Sequence, residues 1–336
     1  MRPLSSFLRA VSLALATIAV LGTATGQDLA NVPLPLDRPI IAQAPRAEAV
    51  PPLSADFFAV PLPSRRPQPG EEPLTSANLV GCGYSPPAGT PTLRVGGRQR
   101  SFIVAVPDGY DSTRPHRLIL AFHGRTNSAA QVQRYYGLEG QGDRPAILVY
   151  PRGLLQSSGR FMWWNGGSGT SEDDFAFFDA LLDYMTASYC VDEGQIFAVG
   201  HSMGGSFVNS LACARGDILR GVAVVGGGYG GVPGCRGRVA AMVMHHPEDR
   251  LVPVAAGEAA REARLAQNGL TDLTPWPTAT PAGYQCERYG VGAVAEPVIW
   301  CPHPFDRTRS GRYYPHNWPS GTGAAIVEFF DRLPGG

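Results

Sequence analysis

The stretch Ile196-Phe197-Ala198-Val199-Gly200-His201-Ser202-Met203-Gly204-Gly205-Ser206-Phe207 decides how the rest of the chain is read. Apolar, β-favouring residues run into Gly-His-Ser-Met-Gly, and a helix-compatible segment, Ser206 to Arg215, follows. A strand that turns this sharply into a helix presents one side chain, Ser202, with its hydroxyl outside the sheet. Glycines at 200 and 204 keep side chains out of the space where strand and helix pass each other. The helix starts just behind Ser202, so the Met203 N–H faces the position where an oxyanion would develop, and the helix dipole adds to the attraction. This is a nucleophile elbow. In a chain with 41 glycines the pentapeptide arises easily by chance, so the strand, the helix and the downstream partners carry the reading.

Outward from the elbow, Arg100 to Val106 alternates as a strand, and Arg117 to Phe122 and Ala146 to Tyr150 are continuous apolar strands. Phe175 to Tyr189 is a helix, with Phe178, Leu181, Leu182 and Met185 on one face and Asp173 and Asp174 in its first turn. Strands at Ile196 to Val199, Val222 to Val225 and Val239 to Met244 alternate with helical segments, the last being Val254 to Asn268 and Ala324 to Leu333. Buried strands alternating with helices give an α/β fold, a mostly parallel central sheet with helices on both faces, in the α/β-hydrolase pattern. Active-site groups then belong on loops at the carboxyl ends of the strands.

That rule locates the partners of Ser202. Asp249 follows Val239 to Met244 in the loop His245-His246-Pro247-Glu248-Asp249-Arg250-Leu251-Val252-Pro253, where a carboxylate can orient an imidazole and stabilise its charged form. Glu248 is adjacent and is the alternative. Of seven histidines, only His303 and His316 give the chain order Ser, Asp, His that this fold uses, and His316, on a loop just before the final helix, is the expected base. His201, inside the elbow, is expected to point away from the reaction. A second oxyanion donor is expected after the early strand, in His123-Gly124-Arg125-Thr126, from the N–H of Arg125 or, failing that, Thr126. The Arg125 side chain is open to two uses, an acidic substrate group or a salt bridge.

The chain has 336 residues, is 44% hydrophobic and carries no net formal charge. Without a basic run, nucleic acid and anionic membrane surfaces are unfavoured partners. Residues 1–26, with Arg2 and Arg9 ahead of the apolar run Ala10 to Leu21, read as a secretory signal peptide cleaved after Gly26, so the mature chain is exported and does not span a membrane. Residues 27–78 are rich in proline and alanine and read as an extended linker, an arm available for contact with a cell-envelope partner. The catalytic domain then covers 79–336.

From Cys82 to Leu333 the chain resembles the secreted esterases grouped as polyhydroxybutyrate depolymerases and feruloyl or acetylxylan esterases. The matching motifs are Gly81-Cys82-Gly83, Pro107-Asp108-Gly109-Tyr110-Asp111, Tyr136-Gly137-Leu138, Trp163-Trp164-Asn165, Tyr189-Cys190-Val191-Asp192, the elbow itself, Leu211-Ala212-Cys213 and His316-Asn317-Trp318-Pro319. The resemblance implies a Ser202, Asp249 and His316 triad, and Trp164 and Trp318 as walls of an acyl or aromatic pocket. It also implies a serine esterase working through an acyl-enzyme, without metal or organic cofactor. Arg125 departs from the smaller residue expected after His-Gly. The expected substrates are feruloyl or acetyl esters of polysaccharide, with hydroxybutyrate oligomers as the alternative. A hydrolase scaffold turned over to envelope binding would have lost a triad residue, and none is missing.

Six cysteines in an exported chain favour disulfides over metal sites. Cys286 and Cys301 flank a hairpin and are expected to pair. Cys190 precedes the nucleophile strand and Cys213 ends the following helix, which places both at the bottom of the sheet and leaves Cys82 with Cys235.

Overall fold

The structure is a computed structural model that describes residues 79–334, apart from 157, 164–170, 233, 272, 279–282 and 291–293. The segments read as signal peptide and linker, 1–26 and 27–78, and Trp164 lie outside the described residues.

In chain order the elements are β1 (Thr92–Val95), β2 (Arg98–Ala105), β3 (His116–Phe122), α1 (Ala129–Tyr136), β4 (Ala146–Pro151), β5 (Leu154–Leu155), β6 (Phe161–Met162) and α2 (Ser171–Ser188). There follow β7 (Val191–His201), α3 (Met203–Ala214), β8 (Gly221–Val225), β9 (Ala240–His245), α4 (Val254–Asn268), β10 (Trp276–Pro277), β11 (Glu287–Tyr289), β12 (Val298–Pro302) and α5 (Thr322–Asp331). Ten strands form one sheet in the order β1-β2-β4-β3-β7-β8-β9-β12-β11-β10. From β4 through β12 neighbouring strands are parallel, and antiparallel strands close both edges.

Continuous apolar strands end up central because successive side chains serve opposite faces. Along β3, Leu118, Leu120 and Phe122 enter the core beneath α2 and α3, while Ile119 and Ala121 join α1 and α5 on the other face. Ile196 and Ala198 of β7 divide from Phe197 and Val199 in the same way. This is the α/β-hydrolase fold, and it sets the carboxyl ends of β3, β7, β8 and β9 side by side.

Two of the expected disulfides are wrong. The bridges are Cys82–Cys190, Cys213–Cys235 and Cys286–Cys301, so neither Cys190–Cys213 nor Cys82–Cys235 forms. The reason is local docking. The turn at Gly81 packs so tightly on the end of α2 that a Cβ there would lie 2.3 Å from the Tyr189 carbonyl, which delivers Cys82 to Cys190. After β8 the chain folds back over the end of α3, where the Arg236 N–H bonds to the Cys213 carbonyl at 2.8 Å, and this brings in Cys235. Lying at the same edge of the sheet is a weaker constraint than a segment already bonded to its neighbour.

Candidate active site

Ser202 sits between the end of β7 and the first residue of α3 with φ 55° and ψ −123°, a left-handed backbone that costs a non-glycine residue about 1–3 kcal/mol. The surroundings hold it there. Its N–H donates to the Val225 carbonyl at 2.9 Å and its carbonyl accepts from the Ser206 N–H at 2.8 Å. The flanking glycines are required by contact: a Cβ at Gly200 would meet the Gly204 carbonyl oxygen at 2.4 Å, and one at Gly204 would meet the Phe122 carbonyl oxygen at 2.3 Å.

His316 bridges Ser202 and Asp249. Its Nδ1 donates to Asp249 Oδ2 at 2.6 Å, so that nitrogen carries the proton, and Nε2 is left to accept from the Ser202 hydroxyl at 2.7 Å. Asp249 Oδ1 accepts from the N–H groups of Leu251 and Val252 at 2.9 and 3.1 Å. Burial pushes this carboxyl up, but the His245 N–H facing it at 3.5 Å and the hydrogen bonds from His316 and the Val252 N–H outweigh it and hold Asp249 well below the usual carboxylate range. Glu248, the other candidate acid, is exposed and accepts from the Tyr313 hydroxyl at 2.7 Å instead.

The loop that carries His316 is pinned on both sides. Asn317 Nδ2 donates to the carbonyls of Phe305 and Tyr314 at 3.0 and 2.7 Å. The Trp318 ring stacks on Tyr136, centroids 3.8 Å apart, and its Nε1 donates to the Tyr136 carbonyl at 3.2 Å. One face and the N–H of Trp318, expected at a pocket wall, are therefore taken up in bracing the His316 loop.

The other histidines divide cleanly. His303, buried just beyond β12, packs against His246, Tyr284 and Phe305, where burial pushes it down to about 3, and the imidazole on Ser202 is that of His316. His116 lies at the opposite end of the sheet, with Nε2 3.0 Å from the Asp111 carbonyl. His201 differs from its sequence reading. Instead of pointing away from the reaction, its ring lies 5.0 Å from that of His316, because the last residue of β7 faces the side that the His316 loop crosses. Burial, then repulsion from His316, pushes His201 down to about 3, which makes it a neutral wall behind the base.

The loop after β3 approaches Ser202 from the other side. A Cβ at Gly124 would lie 3.4 Å from the Ser202 Cβ. Gly124 to Asn127 is a turn closed by the Asn127 N–H on the Gly124 carbonyl at 3.2 Å, with Thr126 at φ 77°. Among the described residues, Thr126 and Ser202 are the non-glycine residues with positive φ, and both border this site. His123 locks the turn from behind: Nδ1 donates to the Gly124 carbonyl at 2.8 Å and Nε2 accepts from the Gly153 N–H at 2.9 Å. Arg125 is exposed and forms no ion pair among the described residues. At the start of α3 the first N–H groups have no carbonyl behind them in the helix, which leaves Met203 N–H available beside Ser202.

The sequence places His123 and His245 in the two strand-end loops but gives neither of them a role. Both stand at the carboxyl end of a strand, one just beyond β3 and the other as the last residue of β9, and that placement was the available signal. Among the described residues no helix is long and apolar enough to cross a membrane.

No protein-family model matches the chain. It is similar to feruloyl esterase C of Emericella nidulans, 31% identical over 277 residues that cover 77% of this chain and 93% of that protein. Feruloyl esterase D of Neurospora crassa is 30% identical over 282 residues, covering 77% and 91%. Among solved structures, native pOPH shares the fold with a TM-score of 0.50 at 16% identity, covering 76% of this chain and 89% of that one. With an elbow serine in reach of a histidine and an aspartate, and feruloyl esterases at about 30% identity over most of both chains, the chain belongs to the feruloyl esterase family of α/β-hydrolases and is a carboxylic ester hydrolase.

Proposed function

We propose that the protein is an exported esterase that releases feruloyl, acetyl or related aromatic acyl groups from polysaccharide through an acyl-enzyme on Ser202. The observation that carries the mechanism is the single imidazole held 2.6 Å from a carboxylate and 2.7 Å from the elbow hydroxyl. His316 Nε2 takes the hydroxyl proton as Oγ attacks the ester carbonyl, and Asp249 steadies the imidazolium. The N–H groups of Met203 and Arg125 receive the oxyanion, each contributing about 3–4 kcal/mol to the transition state. The imidazolium then protonates the departing alcohol, and water activated by the same nitrogen releases the acid. The substrate class is carried over from the relatives' names, and export from the apolar leader and three disulfides, which persist in oxidising compartments.

The test is turnover of the mature protein beside Ser202→Ala on methyl ferulate, p-nitrophenyl acetate, p-nitrophenyl butyrate and hydroxybutyrate oligomers. The expected result is a loss of about 10⁴-fold or more in the variant, with ferulate or acetate preferred. Equal turnover in both proteins would remove Ser202 as nucleophile. Preference for the oligomers would overturn the substrate assignment and leave the nucleophile standing.

A further inference from the structure

We infer that His245 is a positioning residue for Asp249, so that the array behind Ser202 runs one residue past the aspartate to the end of β9. His245 is fully buried and its Nε2 lies 2.8 Å from the Val252 carbonyl and 3.5 Å from Asp249 Oδ2. A carbonyl only accepts, so Nε2 carries the hydrogen. That one N–H grips Val252, the residue whose own N–H bonds to Asp249 Oδ1, and its positive end faces the oxygen that accepts from His316. The acid loop is thereby tied at both ends to a central strand.

The ring cannot shift freely. It packs against the backbone of α4 so closely that a Cβ at Gly257 would lie 2.4 Å from Nδ1. Nδ1 is buried and has no hydrogen-bond partner among the described residues, so the Nε2 bond alone sets the ring's orientation. A flipped ring would aim a C–H at the Val252 carbonyl and leave that oxygen unsatisfied. His245 touches no reacting atom; it acts through Asp249. Displacing a catalytic group by about 1 Å costs on the order of 10²-fold in rate, which sets the scale of its contribution.

The inference rests on the proposed triad, and its test is read against an active wild-type enzyme, so an inactive wild type or an active Ser202→Ala protein would remove the triad rather than His245. His245→Leu keeps volume without a donor, whereas His245→Gln keeps a terminal N–H at similar reach. The expected result is a kcat lower by about 10- to 100-fold for Leu with KM within about threefold, and most of the kcat restored by Gln. In an Asp249→Asn background, His245→Leu should cost less than about threefold, because the partner it acts through is already disabled. Gly257→Ala pushes the ring without removing it and should lower kcat with KM held, which keeps the test open if Leu does not fold. Equal kcat for Leu and Gln, an undiminished cost of Leu beside Asp249→Asn, or full kcat in Gly257→Ala would each overturn the assignment.

Discussion

His316 and His123 are both buried imidazoles, one bonded to Ser202 and the other behind the turn that faces it, and they differ in what their two nitrogens face. His316 lies between a carboxylate and a hydroxyl, so a proton taken at Nε2 arrives where the serine proton was and finds Asp249 as its countercharge. His123 lies between a carbonyl and a backbone N–H. A proton on its Nε2 would confront the Gly153 N–H, and burial already pushes His123 down to about 4. One ring is built to change protonation during turnover and the other to keep a single tautomer. Residue type says nothing about which is which; the partners decide.

The same substitution at both positions gives the sharpest contrast. His316→Phe should lower kcat by about 10⁴-fold or more, with the folded protein retained, because the general base is gone. His123→Phe should lower kcat by no more than about 10²-fold, the scale of one misplaced oxyanion donor. Its larger effect should be on stability, a loss of about 1–3 kcal/mol from leaving the Gly153 N–H buried and unpaired and the Gly124 carbonyl with the Asn127 N–H alone. Steady-state kinetics and chemical denaturation on the two variants separate these outcomes. Comparable kcat losses would mean that His123 takes part in proton transfer, and the contrast would fail.

Acid stability extends the comparison to the whole carboxyl edge of the sheet. His123, His201 and His303 are held at about 4, 3 and 3, chiefly by burial. In the unfolded chain each titrates near 6.5. Folded pKa values below the unfolded one mean that the unfolded state binds more protons, so stability rises with pH. It is fully present above about 6.5 and is lost as pH falls from there toward 4. Each histidine contributes a slope of up to about 1.4 kcal/mol per pH unit in that window, so the three together reach about 4. Melting temperature followed from pH 7.5 to 4.5 should fall steeply below about 6.5, and His123→Phe should flatten the fall by about a third. An unchanged slope in that variant would mean that His123 accepts a proton in the folded state.

These contrasts also mark where the sequence stops being legible. Ser202, Asp249 and His316 stand in local patterns, an elbow and two strand-end loops in a fixed chain order, and the sheet carries those patterns to one place. The short, mostly polar helix α1 was missed, although Ala129, Val132 and Tyr136 recur at helical spacing along its buried face and Ser128 and Gln131 form a capping box at its start. The roles of His123, His201 and His245 depend on Gly153, the His316 loop and Val252, whose approach no local pattern records. Cys82 was assigned wrongly for the same reason, since its partner is chosen by how the Gly81 turn docks on α2.

The smallest effect on turnover belongs to Trp163, and it tests whether His123 holds its turn alone. Trp163 is buried, with Nε1 donating to the His123 carbonyl at 2.9 Å and its ring 4.9 Å from the imidazole. Trp163→Phe keeps an aromatic ring among Phe122, Phe207 and His123 but removes the donor, so the His123 carbonyl loses that partner. The expected loss of stability is about 1–3 kcal/mol, from that unpaired oxygen and the smaller ring. Turnover should change by less than about threefold, because the turn facing Ser202 is fixed by His123 Nδ1 and Nε2, and neither bond involves Trp163. A kcat loss as large as that of His123→Phe would instead make the indole N–H part of the same lock. The neutral histidine would then be one member of a buried hydrogen-bonded chain from Trp163 through residue 123 to the Gly124 turn.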